Sequence, residues 1–131
     1  MQRTVAPLLL VIDDHIEVRK TLVRILEWLG YRVMDVGDGE SGLTVIAEYA
    51  DLLAVVIVDI SLGLVSGVDV QQHVRQIYPS LPVILTSGYT TIDLTAVLAH
   101  DPLTRFLPKP FAPELLHTVI AELVAVPVSV G

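Results

Sequence analysis

The chain has 131 residues, enough for one domain with a substantial core and few for two. Its net charge of −7 argues against direct nucleic-acid binding and against docking on anionic lipid. It has no cysteine, which excludes a disulfide framework and a thiolate metal site. Its residues are 53% hydrophobic, yet no apolar run reaches the roughly 18–20 residues of a membrane span.

Arg3 and the apolar stretch after it faintly resemble a signal peptide. That stretch is short, contains Pro7 and runs into Asp13-Asp14 without a small-residue cleavage site, so Leu8–Ile12 reads as a first strand. Val18, Leu22, Ile25, Leu26 and Leu29 form one stripe and predict a helix over Ile16–Leu29, with Glu17, Lys20, Arg24 and Glu27 mostly off it. Gly30 stops that helix, and Trp28 and Tyr31 are expected to pack around its end. Arg32–Val36 reads as a short strand and Gly37-Asp38-Gly39 as a turn. Leu43, Ile46, Ala47 and Ala50 recur at helical spacing. Leu53–Val58 is unbroken apolar sequence and predicts the central strand. After a Gly-containing loop, Val70, Val74 and Ile77 mark a third helix that ends before Pro79. Val83–Thr86 reads as a fourth strand, Thr91–His100 as a weaker helix and Arg105–Leu107 as a short fifth strand. Ala112–Val124 closes the pattern, with Leu116, Val119, Ile120 and Leu123 inward.

Alternation of five strands with five helices predicts a doubly wound α/β fold, a parallel sheet with helices on both faces. Strands covered on both faces also account for the hydrophobic excess. There is no internal repeat or low-complexity segment, and the apolar tail Val124–Gly131 does not look like a flexible linker. Residues 1–131 are read as a single domain with its core at about 8–124.

In such folds ligands bind at the carboxyl ends of the strands, near the switch point. Asp13 and Asp14 end the first strand, and Asp59 ends the third. Converging carboxylates repel strongly unless one takes up a proton or a cation sits among them. Oxygen-only donors favour a hard cation such as Mg²⁺, which takes few protein carboxylates and keeps several waters. An Asp beside such a cation can attack a phosphoryl group. The new oxygens then need donors and positive charge. Ser87, with Gly88 behind it, and Lys109, between Pro108 and Pro110, lie at the ends of the fourth and fifth strands. The Lys109-Pro110 bond is a candidate cis peptide that would aim the lysine into the pocket.

In this order and at these strand ends the chain resembles a response-regulator receiver domain of two-component signalling. The resemblance covers about residues 8–124. It rests on Asp13-Asp14, Asp59, Gly67, Ser87-Gly88 and Phe106-Leu107-Pro108-Lys109-Pro110-Phe111. It implies a flavodoxin-like (βα)5 sheet of strand order 2-1-3-4-5. It implies Asp59 as phosphoacceptor, and Mg²⁺ held by Asp14, Asp59 and the Ser61 carbonyl, with Asp13 acting through water. Ser87 would be the switch hydroxyl, Lys109 the phosphoryl partner and Phe106 the aromatic switch residue. The donor would be a histidine kinase or phosphotransfer protein in the cytoplasm. The face formed by the fourth helix, fifth strand and fifth helix would carry the signal, and receivers often form homodimers through it. The domain would be no enzyme beyond phosphorylating and dephosphorylating itself. Gly63 stands where the family often has Pro, Ser87 where Thr is commoner and Phe106 where Tyr is frequent. Ser61 and Tyr89 sit where the family tunes phosphoryl lifetime. Pro108-Lys109-Pro110 and Ser87-Gly88 resemble receivers attached to hybrid sensor kinases.

Each signal also has a plain reading. Asp13-Asp14 alone could cap a helix, Asp59 a turn, and Lys109 could be a solvated lysine; Ser87-Gly88 is an ordinary turn signal. His15, His73, His100 and His117 are scattered and read as surface or helix-end residues. A phosphohydrolase with Asp59 as nucleophile needs a general acid two residues on, where Ser61 cannot serve. A flavin module needs a Ser, Thr and Gly-rich phosphate loop, and Asp13-Asp14 would repel the phosphate.

Overall fold

The computed structural model describes residues 5–88 and 93–124. Arg3, Tyr89, the start of the predicted fourth helix and the tail beyond Val124 lie outside the described residues. The elements are β1 (Leu8–Ile12), α1 (Ile16–Trp28), β2 (Arg32–Val36), α2 (Gly39–Tyr49), β3 (Leu53–Asp59), α3 (Gly67–Ile77), β4 (Val83–Ser87), α4 (Thr95–Leu98), β5 (Thr104–Pro108) and α5 (Pro113–Val124). The strands form one parallel sheet of order β2-β1-β3-β4-β5, the predicted doubly wound topology.

Side chains alternate across a strand, so each apolar run feeds two cores. Leu8, Leu10, Ile12, Val56, Val58, Val83 and Leu85 pack on one face with Ile46 of α2 and Val70 and Val74 of α3. Leu9, Val11, Val55, Ile57 and Ile84 face the other way, onto Leu22 and Leu26 of α1 and Leu116, Ile120 and Leu123 of α5. Each such side chain contributes about 1.5–3 kcal/mol when fully buried, so the strands have no solvent-facing alternative. Local signals set the helix ends. Asp38 caps α2 through the Ser41 amide at 2.7 Å, and Ser66 with Asp69 forms a capping box at α3. Gly30, at φ 101°, takes the left-handed turn that ends α1.

Two expectations need correction. Trp28 does not pack around the end of α1; it is 83% exposed. It lies two residues past buried Leu26, about 200° around a helix, and so points away from the core. Tyr31 does pack there, against the α1–α5 core, with its hydroxyl 3.0 Å from His117 Nδ1. The fourth helix spans only Thr95–Leu98 among the described residues, not Thr91–His100. Asp93 bonds the Thr95 amide at its start; after it Ala99 is extended and His100 takes φ 62°, which cannot continue a helix. Elsewhere the differences are small. Asp59, Ser87 and Pro108 fall inside their strands, and Ile77 and Val18 are exposed at the ends of their stripes.

A polar hub ties the end of the sheet opposite the strands' carboxyl termini. Gln71 Nε2 donates to Asp101 Oδ2 at 3.0 Å and to Thr104 Oγ1 at 3.1 Å. Arg75 Nε donates to Asp101 Oδ2 at 2.9 Å, and its Nη1 to the Pro79 and Leu81 carbonyls at 3.0 Å each. Burial alone would raise the Asp101 carboxyl. The Thr104 hydroxyl, the Arg75 guanidinium and the Leu103 amide outweigh it and leave it below its ordinary 3.8. A lowered folded value means stability that is present above 3.8 and lost as pH falls through the folded value. We expect the urea midpoint of the wild type to exceed that of Asp101→Asn at neutral pH, and the gap to shrink as pH falls below about 4. A gap that stays constant with pH would contradict this.

Candidate functional site

Sheet topology brings the acids together. β1 and β3 are neighbours, and Ile12 is in register with Val58, so the next residues, Asp13 and Asp59, end adjacent strands at the switch point. Both are nearly buried, at 2% and 8% exposure. Lys109, just past β5, reaches between them. Its Nζ donates to Asp59 Oδ2 at 2.6 Å and to Asp13 Oδ2 at 2.9 Å. The Lys109-Pro110 peptide is cis.

The remaining carboxylate oxygens are held by backbone. Asp13 Oδ1 accepts from the His15 amide at 2.9 Å, and Asp59 Oδ1 from the Ser61 amide at 2.7 Å. The turn-capping reading of Asp59 is thus realised, together with its ion pair. Neither Asp13 nor Asp14 caps α1; His15 stands at that position, without a side-chain bond. Asp14 and Ser61 are exposed at the rim. Burial alone would lower the Lys109 ammonium, but its hydrogen bonds to Asp59 and Asp13, and their charges, raise it above 10.5. Lys109 is therefore charged at neutral pH, one cation shared by the two carboxylates of Asp13 and Asp59.

Ser87 is fully buried at the end of β4, and its carbonyl accepts from the Lys109 amide at 2.8 Å. Phe106 is half-buried on β5, in register with Leu85 and packed against the α2–α3 core. Ser87 thus lies on the strand between Asp59 and Lys109, with Phe106 on the next.

Gly67 has a role its motif did not disclose. A methyl group there would lie on the Asp59 carbonyl oxygen and 2.7 Å from Ile60 Cα. The start of α3 thus packs directly on the backbone that carries Asp59, and Gly67 N donates to the Ile60 carbonyl at 3.1 Å. This contact and the Ser66 capping box fix the end of the loop that contains Gly63. Gly67→Ala is expected to cost about 1–3 kcal/mol, the usual cost of overpacking, read as a lower urea midpoint. An unchanged midpoint would contradict the close approach.

A hard cation such as Mg²⁺ fits these residues by donor chemistry: the set is all oxygen, and one ammonium leaves it net negative. Among the described residues no three His, Cys, Asp or Glu side chains are gathered to hold a metal ion. Mg²⁺ does not require that, since one or two carboxylates plus water and substrate oxygens suffice.

Sequence reasoning missed Arg19 and Asp35. Arg19 Nη1 donates to the Asp13 carbonyl at 2.9 Å and its Nε to Asp35 Oδ2 at 2.9 Å. The signal that could have found it is position: a long side chain in the first turns of a helix leans back toward the helix N-terminus, here toward the end of β1.

Fold and site together define a doubly wound, flavodoxin-like α/β domain with an acidic pocket and a lysine at its switch point. The family profile of the response regulator receiver domain matches residues 9–121, and the chain belongs to that family. Accepting a phosphoryl group in two-component signalling is the function of that family. The chain is 29% identical over 114 residues to sensor kinase CckA of Brucella abortus (strain 2308), covering 87% of this chain and 12% of that protein. It is 33% identical over 117 residues to the uncharacterized transcriptional regulatory protein YrkP of Bacillus subtilis (strain 168), covering 88% of this chain and 48% of that protein. The chain therefore spans less than half of either relative. A response regulator receiver domain protein from Clostridium thermocellum superposes with a TM-score of 0.83 at 28% identity, over 90% of this chain and 94% of that one. No helix among the described residues is long and apolar enough to cross a membrane.

Proposed function

We propose that Asp59 is the phosphoacceptor of this receiver and that residues 1–131 act as one domain. The carrying observation is the position of its carboxylate: at the end of β3, beside Asp13, on the Lys109 ammonium. A carboxylate oxygen of Asp59 attacks the phosphorus of a phosphohistidine on a histidine kinase or phosphotransfer protein. The O–P bond forms, the P–N bond breaks, and the leaving imidazole keeps its electron pair and is then protonated.

Asp14, Asp59 and the Ser61 carbonyl would hold Mg²⁺, with Asp13 acting through water. Mg²⁺ supplies charge neutralisation for the incoming anion. Lys109 exchanges its bond to Asp59 for one to a phosphoryl oxygen, as a point charge aimed where charge develops. The Ser61 amide keeps Asp59 oriented. The Ser87 hydroxyl then turns toward the phosphoryl group and the Phe106 ring packs inward, altering the α4-β5-α5 face. That face meets the partner, or a second copy in a homodimer. Slow hydrolysis of the acyl phosphate resets the switch, and no other catalysis is assigned.

The acidic surface supports a protein partner rather than direct nucleic-acid contact, and the absence of cysteine suits the cytoplasm. The match to part of a sensor kinase supports membership in a longer regulator or hybrid kinase. Incubation with acetyl phosphate and Mg²⁺ should add the mass of one phosphoryl group, and chelation should prevent it. Addition that is indifferent to chelation would refute the cation role.

A further inference from the structure

We propose that Arg19 is a positioning residue for the acidic pair: by holding the Asp13 carbonyl it fixes the Asp13–Asp14 peptide and so aims Asp14 at the cation. The inference rests on the reading that Mg²⁺ binds among these acids.

The Asp13 backbone is tied to β2 on both sides. Its amide donates to the Val36 carbonyl at 3.2 Å. Its carbonyl accepts from Arg19 Nη1, whose Nε in turn holds Asp35 of β2. The Asp13 side chain is engaged by the His15 amide and by Lys109. Asp14 differs. It is exposed, and its carboxylate takes no partner among the described residues. Its direction is therefore set by the backbone that precedes it. A peptide unit is planar, so fixing the Asp13 carbonyl also fixes the Asp14 amide and the path of its Cα.

Three further features suit this role. A guanidinium can bond a carbonyl and a carboxylate at once through its rigid fork, which an ammonium on a flexible stem does poorly. Asp35 offsets the Arg19 charge, so a donor is delivered next to a cation pocket without a free competing cation. Gly37 leaves the space in which the guanidinium lies, since a methyl there would sit 2.7 Å from Nη1. An arginine serving only as a surface ion pair with Asp35 would need neither the glycine nor the carbonyl.

Removing a partner that orients a metal ligand commonly weakens affinity about 10–100-fold. Loss of a positive charge alone would tighten Mg²⁺ binding, so the expected change has the opposite sign to a purely electrostatic one. The test is the Mg²⁺ Kd of the full chain, from calorimetry and from Mg²⁺-dependent NMR amide shifts, at a temperature where each variant is folded. We expect Arg19→Gln to bind about tenfold more weakly or worse, and Arg19→Lys to fall between it and wild type. Gly37→Ala, which keeps every charge but displaces the guanidinium, should also weaken binding. Phosphorylation by acetyl phosphate should need more Mg²⁺ yet approach the wild-type rate at saturation. A wild-type Kd in folded Arg19→Gln overturns the proposal, and if that variant does not fold, a wild-type Kd in folded Arg19→Lys does so, since an ammonium does not hold the carbonyl and Asp35 together as the guanidinium fork does. A wild-type chain that binds no Mg²⁺ would instead refute the cation reading itself.

Discussion

Asp59→Asn is expected to take up no phosphoryl group from acetyl phosphate and Mg²⁺ while keeping its fold. The amide oxygen can still accept from the Ser61 N–H, so the turn after β3 survives. What is lost is the nucleophilic, anionic oxygen. Lys109 loses its bond to the Asp59 carboxylate but keeps Asp13 at 2.9 Å, so no buried charge is orphaned. The register that sets this position beside Thr86 is made by backbone bonds and does not change on substitution. Intact mass reads the labelling, and the urea midpoint reads the fold. Labelling that persists in Asp59→Asn would move the acceptor elsewhere. Loss of labelling together with unfolding would leave chemistry and stability to be separated by Asp59→Glu, which keeps the charge but shifts the oxygen.

Lys109→Met carries the second large effect, and it acts on both stability and chemistry. It leaves Asp13 and Asp59 nearly buried with no cation between them. Breaking a buried pair by removing one partner costs about 3–5 kcal/mol; here roughly 2–4 is expected, because Lys109 retains some solvent contact. Removing a charge aimed at the transferring oxygens should also slow phosphorylation about 10²–10³-fold. Added Mg²⁺ should recover part of the lost stability, since an ion that binds only the folded chain stabilises it by mass action. The urea midpoint with and without Mg²⁺ and the initial rate of labelling measure the two effects. A variant as stable as wild type that labels at the wild-type rate would remove Lys109 from the site.

The strand ends were legible in the sequence because a parallel sheet buried on both faces leaves long apolar runs that stop at polar residues. Asp13, Asp59 and Ser87 stand at such stops, and the prolines around Lys109 mark another. That marks where the groups lie along the chain; that they meet follows from strand order, which came through family resemblance. Trp28 was misplaced although helical periodicity places it opposite Leu26. Arg19 was missed because its partner Asp35 is on β2 and periodicity gives the face of a helix, not its long-range bonds; only its place in the first turns of α1 pointed toward the end of β1. The hub of Gln71, Arg75, Asp101 and Thr104 joins residues 26 to 33 positions apart, beyond any local pattern. The short α4 followed from a left-handed His100 and an extended Ala99, which no local residue type announces.

A phosphoryl group on Asp59 is an acyl phosphate. An acyl phosphate is reduced by borohydride, which converts that aspartate to homoserine and leaves free carboxylates untouched. The chain should be phosphorylated with acetyl phosphate and Mg²⁺, reduced, digested and sequenced by mass spectrometry. Homoserine is expected at position 59, with aspartate retained at Asp13 and Asp14. Homoserine at either of those positions, or phosphate recovered on a histidine, would contradict Asp59 as the acceptor.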